Sequence, residues 1–173
     1  KKGIEHLIYA VPHLLRDFPD LKIVIAGPDC GMMDRLMNLT HRLGVERSVI
    51  FTGPLPEKYK YAALASSEAL ILPSSFEAQG LVLMEAQALG IPVIATRQGG
   101  VPRFIRDGEN GILIDYGRPD QIVKAVKMIL EDRDLARKMG ENGRKLAEKH
   151  TWDSIANKIL TIYEDVARAS AKT

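Results

Sequence analysis

The stretch Ala69-Leu-Ile-Leu-Pro-Ser-Ser-Phe-Glu77-Ala-Gln-Gly80-Leu-Val-Leu-Met-Glu85-Ala-Gln-Ala-Leu-Gly90-Ile-Pro-Val-Ile-Ala-Thr96 decides the fold. Residues 69–72 are all apolar and stop at Pro73-Ser74-Ser75, the pattern of a buried strand that ends in a loop. Residues 80–89 read as a helix closed by Gly90, and 92–96 as another buried strand running into Gly99-Gly100. Strand, helix and strand in succession point to parallel strands.

The alternation extends in both directions. Upstream, Leu7, Ile8, Val11, Leu14, Leu15 and Phe18 recur at helical spacing, predicting a helix over 4–17. Residues 21–26 predict a strand leading into Gly27-Pro28-Asp29, and 48–52 another ending at Gly53-Pro54. Between them, Met32, Met33, Leu36, Met37, Thr40 and Leu43 form a helical stripe closed by Gly44, and 57–65 predicts a short helix. Downstream, a short helix near 102–106 and a strand at 111–114 end the alternation. After Pro119 only helices are predicted, the last one around Trp152 with Ile155, Ile159, Ile162, Tyr163 and Val166 on one stripe. The whole is one α/β domain, a Rossmann-like doubly wound parallel sheet with helices on both faces, residues 119–173 forming a helical C-terminal part.

Composition narrows the function. The 173 residues are 46% hydrophobic and 27% charged, as in an ordinary globular domain. Lys plus Arg is 24 and Asp plus Glu is 22, and a net charge of +2 gives no field that would draw nucleic acid. One cysteine, Cys30, excludes an internal disulfide framework and a multi-cysteine metal site, and fits a reducing compartment such as the cytoplasm. No apolar run approaches the roughly 18 residues of a membrane span. The absence of an initiator Met suggests a piece of a longer protein.

In a doubly wound sheet, ligands bind beyond the carboxyl ends of the strands. The loop Gly27-Pro28-Asp29-Cys30-Gly31 precedes a helix start, where free backbone N–H groups meet an anion or simply make a tight turn. No GxGxxG follows any strand, which disfavours a dinucleotide cofactor. The loop 73–80 holds Glu77, and Glu85 lies eight residues later on a mostly apolar helix. A carboxylate in such surroundings needs donors, and sugar or ribose hydroxyls, a cap on a neighbouring loop and a paired arginine all supply them. Gly80 lets a phosphate approach the amides of Leu81 and Val82. His6, His13, His41 and His150 show no metal-ligand spacing.

Glu77 and Glu85 in this frame, followed by Gly99-Gly100-Val101-Pro102, closely resemble the E-x7-E signature and glycine loop of retaining GT-B glycosyltransferases of family 4. Lys2-Gly3-Ile4-Glu5-His6-Leu7-Ile8, Ile25-Ala26-Gly27-Pro28-Asp29, Val49-Ile50-Phe51-Thr52-Gly53, Asp107-Gly108-Glu109-Asn110-Gly111 and Thr151-Trp152 continue the resemblance in the family's order. It implies the C-terminal, donor-binding half of a two-domain enzyme that transfers a hexosyl group from a nucleotide-diphosphate sugar with retention. By that resemblance Glu77 contacts the donor sugar and is the catalytic residue, and Glu85 binds the ribose. Ala78, Gln79, Gly80, Leu81 and Val82 surround the diphosphate and sugar, with Lys2 neutralising the phosphates, Gly27 in the first glycine loop, and Pro54 and Leu55 at the base. No cofactor and no metal are implied; the partners are the nucleotide sugar and an N-terminal acceptor-binding domain.

Two positions depart from the family's pattern. Gln79 stands where an aromatic residue is commoner, and Arg103 where a Glu commonly follows the proline of the glycine loop. Both bear on the donor-sugar contacts and fit an alternative, a non-catalytic glycosyltransferase-like binding module. An epimerase of similar architecture ranks last, for want of recognisable acids and bases. The resemblance further implies that the family's first strand and a phosphate-binding arginine belong ahead of Lys2, that strand lying centrally between the second and fourth. Peripheral membrane association through the other domain, and oligomerisation through the last helix or the open sheet, are further expectations.

Overall fold

The five apolar runs form five parallel strands in the computed structural model, which describes residues 1–170. In chain order the elements are α1 (Ile4–Leu14), β1 (Ile23–Ala26), α2 (Met33–Arg42), β2 (Val49–Gly53), α3 (Glu57–Ala65), β3 (Leu70–Leu72), α4 (Leu81–Ala88), β4 (Val93–Thr96), β5 (Ile112–Ile114), α5 (Pro119–Glu131), α6 (Arg133–Glu148) and α7 (Trp152–Ser170). The helix expected near 102–106 is a single 3-10 turn at Val101–Arg103. The first helix is shorter than its apolar stripe: it ends at Leu14, and the amides of Asp17 and Phe18 turn back to the Leu14 carbonyl.

Strand order follows the doubly wound pattern, with one break. β1 pairs with β2, and β3, β4 and β5 form a second parallel ladder. Among the described residues no ladder joins β1 to β3. That break falls where the 3-2-1-4-5-6 order places its first strand. The two ladders still share one core: Ile23 and Val49 from one, and Ile94, Ile112 and Ile114 from the other, meet Leu7, Ile8, Val11 and Leu14 of α1 and Ile122, Val126 and Ile129 of α5. Successive side chains of β4 alternate between faces, so Val93 and Ala95 join a second cluster with Leu83, Ala86, Val101 and Ile105.

Coverage of the sheet is uneven, unlike the expectation that every strand is enclosed. All four residues of β4 are buried, because neighbours flank both its edges and both its faces. β1 and β2 send Ile23 and Val49 into the core but leave Val24 and Ile50 exposed. At the other end, α6 lies so close to the end of α4 that a Cβ on Gly140 would stand 2.0 Å from the Gly90 carbonyl oxygen. The last helix, α7, has no buried residue, and its Trp152, Ile162 and Tyr163 are exposed.

Candidate donor site

The loop 73–80 leaves β3 and is held from two directions. On one side lies the N-terminal segment: the Ser75 amide donates to the Lys1 carbonyl at 2.8 Å. Gly3 packs so tightly there that a Cβ would stand 2.0 Å from the Pro73 oxygen, and its φ of 66° is one that glycine adopts freely. On the other side the Gly100 amide donates to the Glu77 carbonyl at 2.9 Å, and a Cβ on Gly100 would come within 2.1 Å of the Ala78 oxygen. The paired glycines after β4 therefore admit the backbone of the 73–80 loop.

These supports set the carboxylates. Lys2 donates from Nζ to Glu77 Oε2 at 2.9 Å, across 75 residues of sequence. Eight residues further on, Glu85 lies on α4, where Lys60 of α3 donates to its Oε1 at 2.9 Å. Glu85 is 29% exposed and Lys60 34%, so this pair is more shielded from water than the Lys2 ammonium, which is 63% exposed. The carboxylate beside Lys60 raises the affinity of its ammonium for the proton. Of the partners open to Glu85 from sequence, an ion pair is the one formed within the chain, but with Lys60 and not with the arginine expected.

Between the carboxylates, Gly80 precedes the first turn of α4 with φ 64° and has no side chain to cap it, and among the described residues no side chain hydrogen-bonds the amides of Leu81 and Val82. The amides of Leu81 and Val82 belong to this uncapped turn, and Leu81 is exposed. Ala78 and Gln79 are exposed on the rim, as is Arg103. Pro54 and Leu55 occupy the loop between β2 and α3, directly ahead of the turn that carries Lys60. The loop after β1 behaves otherwise. The Gly27 amide donates to the Gly53 carbonyl at 2.9 Å, and Asp29 Oδ1 accepts from the amides of Gly31, Met32 and Met33 at 2.8, 3.0 and 3.1 Å. The chain's own carboxylate thus occupies the helix end that the sequence left open to an anion, and these three bonds hold the Asp29 carboxyl below its ordinary value.

Residues 1–146 match the sequence profile of the family described as Glycosyl transferases group 1. The chain belongs to that family. Among curated relatives of this group 1 glycosyl transferase domain, a D-inositol 3-phosphate glycosyltransferase of Corynebacterium diphtheriae is 34% identical over 171 residues, which is 96% of this chain and 40% of the relative. The chain thus spans about two-fifths of the length of the relatives it matches. Among solved structures, a sucrose-phosphate synthase from Thermosynechococcus elongatus superposes with a TM-score of 0.86 at 28% identity, over 98% of this chain and 43% of that one. The S. aureus protein TarM, solved with UDP among other ligands, superposes with a TM-score of 0.82 at 25% identity, over 94% of this chain and 33% of that one. The architecture is that of a GT-B half, and the matches identify the chain as a group 1 C-terminal domain.

Within this group 1 domain the structure gathers Lys2, Glu77, Gly80, Leu81 and Val82 around one helix start and ties Glu85 to α3. Gly27 is hydrogen-bonded to Gly53 at the end of β2, next to Pro54. Lys60 is the residue that sequence reasoning missed. Its signal was weak: a lysine in the first turn of a helix that also carries Glu57, Lys58, Tyr59 and Tyr61.

Proposed function

We propose that this chain is the donor-binding domain of a retaining glycosyltransferase, moving a hexosyl group from a nucleotide-diphosphate sugar to an acceptor held by an N-terminal domain. The observation that carries the reading is the uncapped first turn of α4, flanked by Glu77 paired with Lys2 and Glu85 paired with Lys60. The family membership of the chain and the UDP bound by TarM support it.

In this reading the diphosphate takes the positive end of α4, where the amides of Leu81 and Val82 supply donors that the chain leaves uncapped. Lys2 turns from Glu77 to the phosphates and neutralises the charge that develops as the nucleoside diphosphate departs. Glu77, released from Lys2, accepts hydroxyls of the donor sugar and holds its anomeric carbon towards the acceptor. Glu85 accepts a ribose hydroxyl, and the backbone at Pro54 and Leu55 meets the base. A diphosphate needs only this local charge, consistent with a net charge of +2. Catalysis requires the acceptor in the same cleft, so the isolated domain binds donor and turns over little.

Calorimetric titration of the folded protein with UDP, GDP and ADP is the direct test. One of the three is expected to bind. No binding of any of them would remove the donor-site reading, and an inverted anomeric product from the intact enzyme would remove retention.

A further inference from the structure

The ion pair between Lys60 and Glu85 joins two elements that no strand ladder connects. Lys60 lies in the first turn of α3, four residues after the first residue of that helix's approach at Pro56, and Glu85 lies in the middle of α4. Its ammonium bonds a single carboxylate oxygen, Oε1, at 2.9 Å. The same ammonium stands 4.5 Å from the centre of the Tyr61 ring, whose hydroxyl bonds Glu57 Oε1 at 3.3 Å. Glu57, Lys60 and Tyr61 of α3 thereby form a chain of contacts ending on the α4 carboxylate.

A one-oxygen bond has a chemical consequence. It anchors one carboxylate oxygen of Glu85 beside the ammonium, while the second oxygen retains its lone pairs for a hydroxyl donor. Because α3 begins directly after the loop at Pro54 and Leu55, the Lys60 bond ties the helix that follows that loop to Glu85.

We propose that Lys60 is a positioning residue for ribose recognition: it orients Glu85 so that a ribose hydroxyl is read, and so contributes to the preference for ribonucleotide over deoxyribonucleotide donors. The proposal rests on the donor-site reading above and assigns Lys60 no contact with the reacting atoms.

The test compares wild type, Lys60→Met, Lys60→Arg and Glu85→Gln in the intact protein. Each is titrated with whichever of UDP, GDP or ADP binds wild type best, and with the 2′-deoxy and 3′-deoxy forms of that nucleotide. Melting curves establish that each variant is folded. In wild type the ribonucleotide should bind about tenfold or more tightly than at least one deoxy form, the factor expected for a hydrogen bond to a charged group. Lys60→Met should weaken ribonucleotide binding about fivefold while leaving deoxynucleotide binding nearly unchanged, so the preference collapses; Lys60→Arg should restore much of it. Glu85→Gln should abolish the preference whichever residue stands at 60. A structural role alone would weaken all nucleotides alike, and that outcome, or an undiminished preference in Lys60→Met, overturns the role of Lys60 while the donor site stands. Wild type that binds no nucleotide overturns both.

Discussion

Helices α2 and α4 both follow a parallel strand and a glycine-containing loop, yet their first turns are satisfied in different ways. At α2 the Asp29 carboxylate gathers three consecutive amides, so that helix end is neutralised from within the chain. At α4 no side chain caps the first turn, and the nearest carboxylates, Glu77 and Glu85, are each engaged by a lysine. A glycine loop before a helix is therefore not in itself an anion site; an acidic side chain in hydrogen-bond reach decides whether one exists. In this chain the contrast separates a helix end filled by the chain's own carboxylate from one whose first amides meet no side chain among the described residues.

The contrast breaks most severely if the α4 loop cannot form. In Gly100→Ala the added Cβ meets the Ala78 carbonyl oxygen, and displacement of that packed backbone should cost about 2 kcal/mol. The melting temperature should then fall by roughly 4–8 °C, with donor binding lost as well. A variant as stable as wild type would show that the close approach is relaxed easily.

Removing the ligand-side carboxylates is expected to come next. Glu85→Ala should weaken nucleotide binding by about 30-fold, the equivalent of losing one charged hydrogen bond, measured by calorimetry. In the intact enzyme Glu77→Ala should lower kcat by about tenfold or more with a smaller change in nucleotide affinity, because in the proposed reading its partner is the sugar. Equal losses of affinity in both variants would merge the two roles.

The smallest effect belongs to the α2 end. Asp29→Asn should lower stability slightly and leave nucleotide affinity unchanged, since the proposed donor site uses the start of α4 and the carboxylate of Asp29 already fills the start of α2. Backbone bonds depress the Asp29 pKa in the folded chain, so its contribution is present above its unfolded value of about 3.9 and fades as pH falls through the lower folded value. The gap in melting temperature between wild type and Asp29→Asn should accordingly close in acid. A gap that does not narrow as the pH falls below the unfolded value would place the stabilisation elsewhere.

Periodicity located the elements because each segment's burial follows its own local pattern. The residues of β4 are apolar throughout and are buried throughout, and the stripe of α1 at Leu7, Val11 and Leu14 is its core face. The α3 boundaries follow from Pro56 at one end and the polar Ser66 at the other. Boundaries failed where turns compete with helices, as after Leu14, whose carbonyl takes two amides back from a turn. Enclosure of the strands was overestimated at β1 and β2, because apolar side chains such as Val24 and Ile50 state a preference for burial but not whether a neighbour exists to supply it.

The candidate site divided in the same way. Glu77, Gly80 and Glu85 lie within one continuous strand-loop-helix unit, so they were legible together as a motif whose roles the family resemblance implied, and the apolar neighbours of Glu85 showed that it needed a donor. The donor itself is Lys60, 25 residues away on another helix, and Lys2 reaches Glu77 across 75 residues. The two glycines after β4 were legible as a close approach, but what approaches them, the Glu77 and Ala78 backbone, was not. Local sequence thus determined the doubly wound α/β fold, the family and the pair of carboxylates, because strands, helices and a motif are written within short windows. Tertiary structure alone decided which lysine holds which carboxylate and which helix end stays uncapped, because ion pairs and caps depend on distances that chain spacing does not encode.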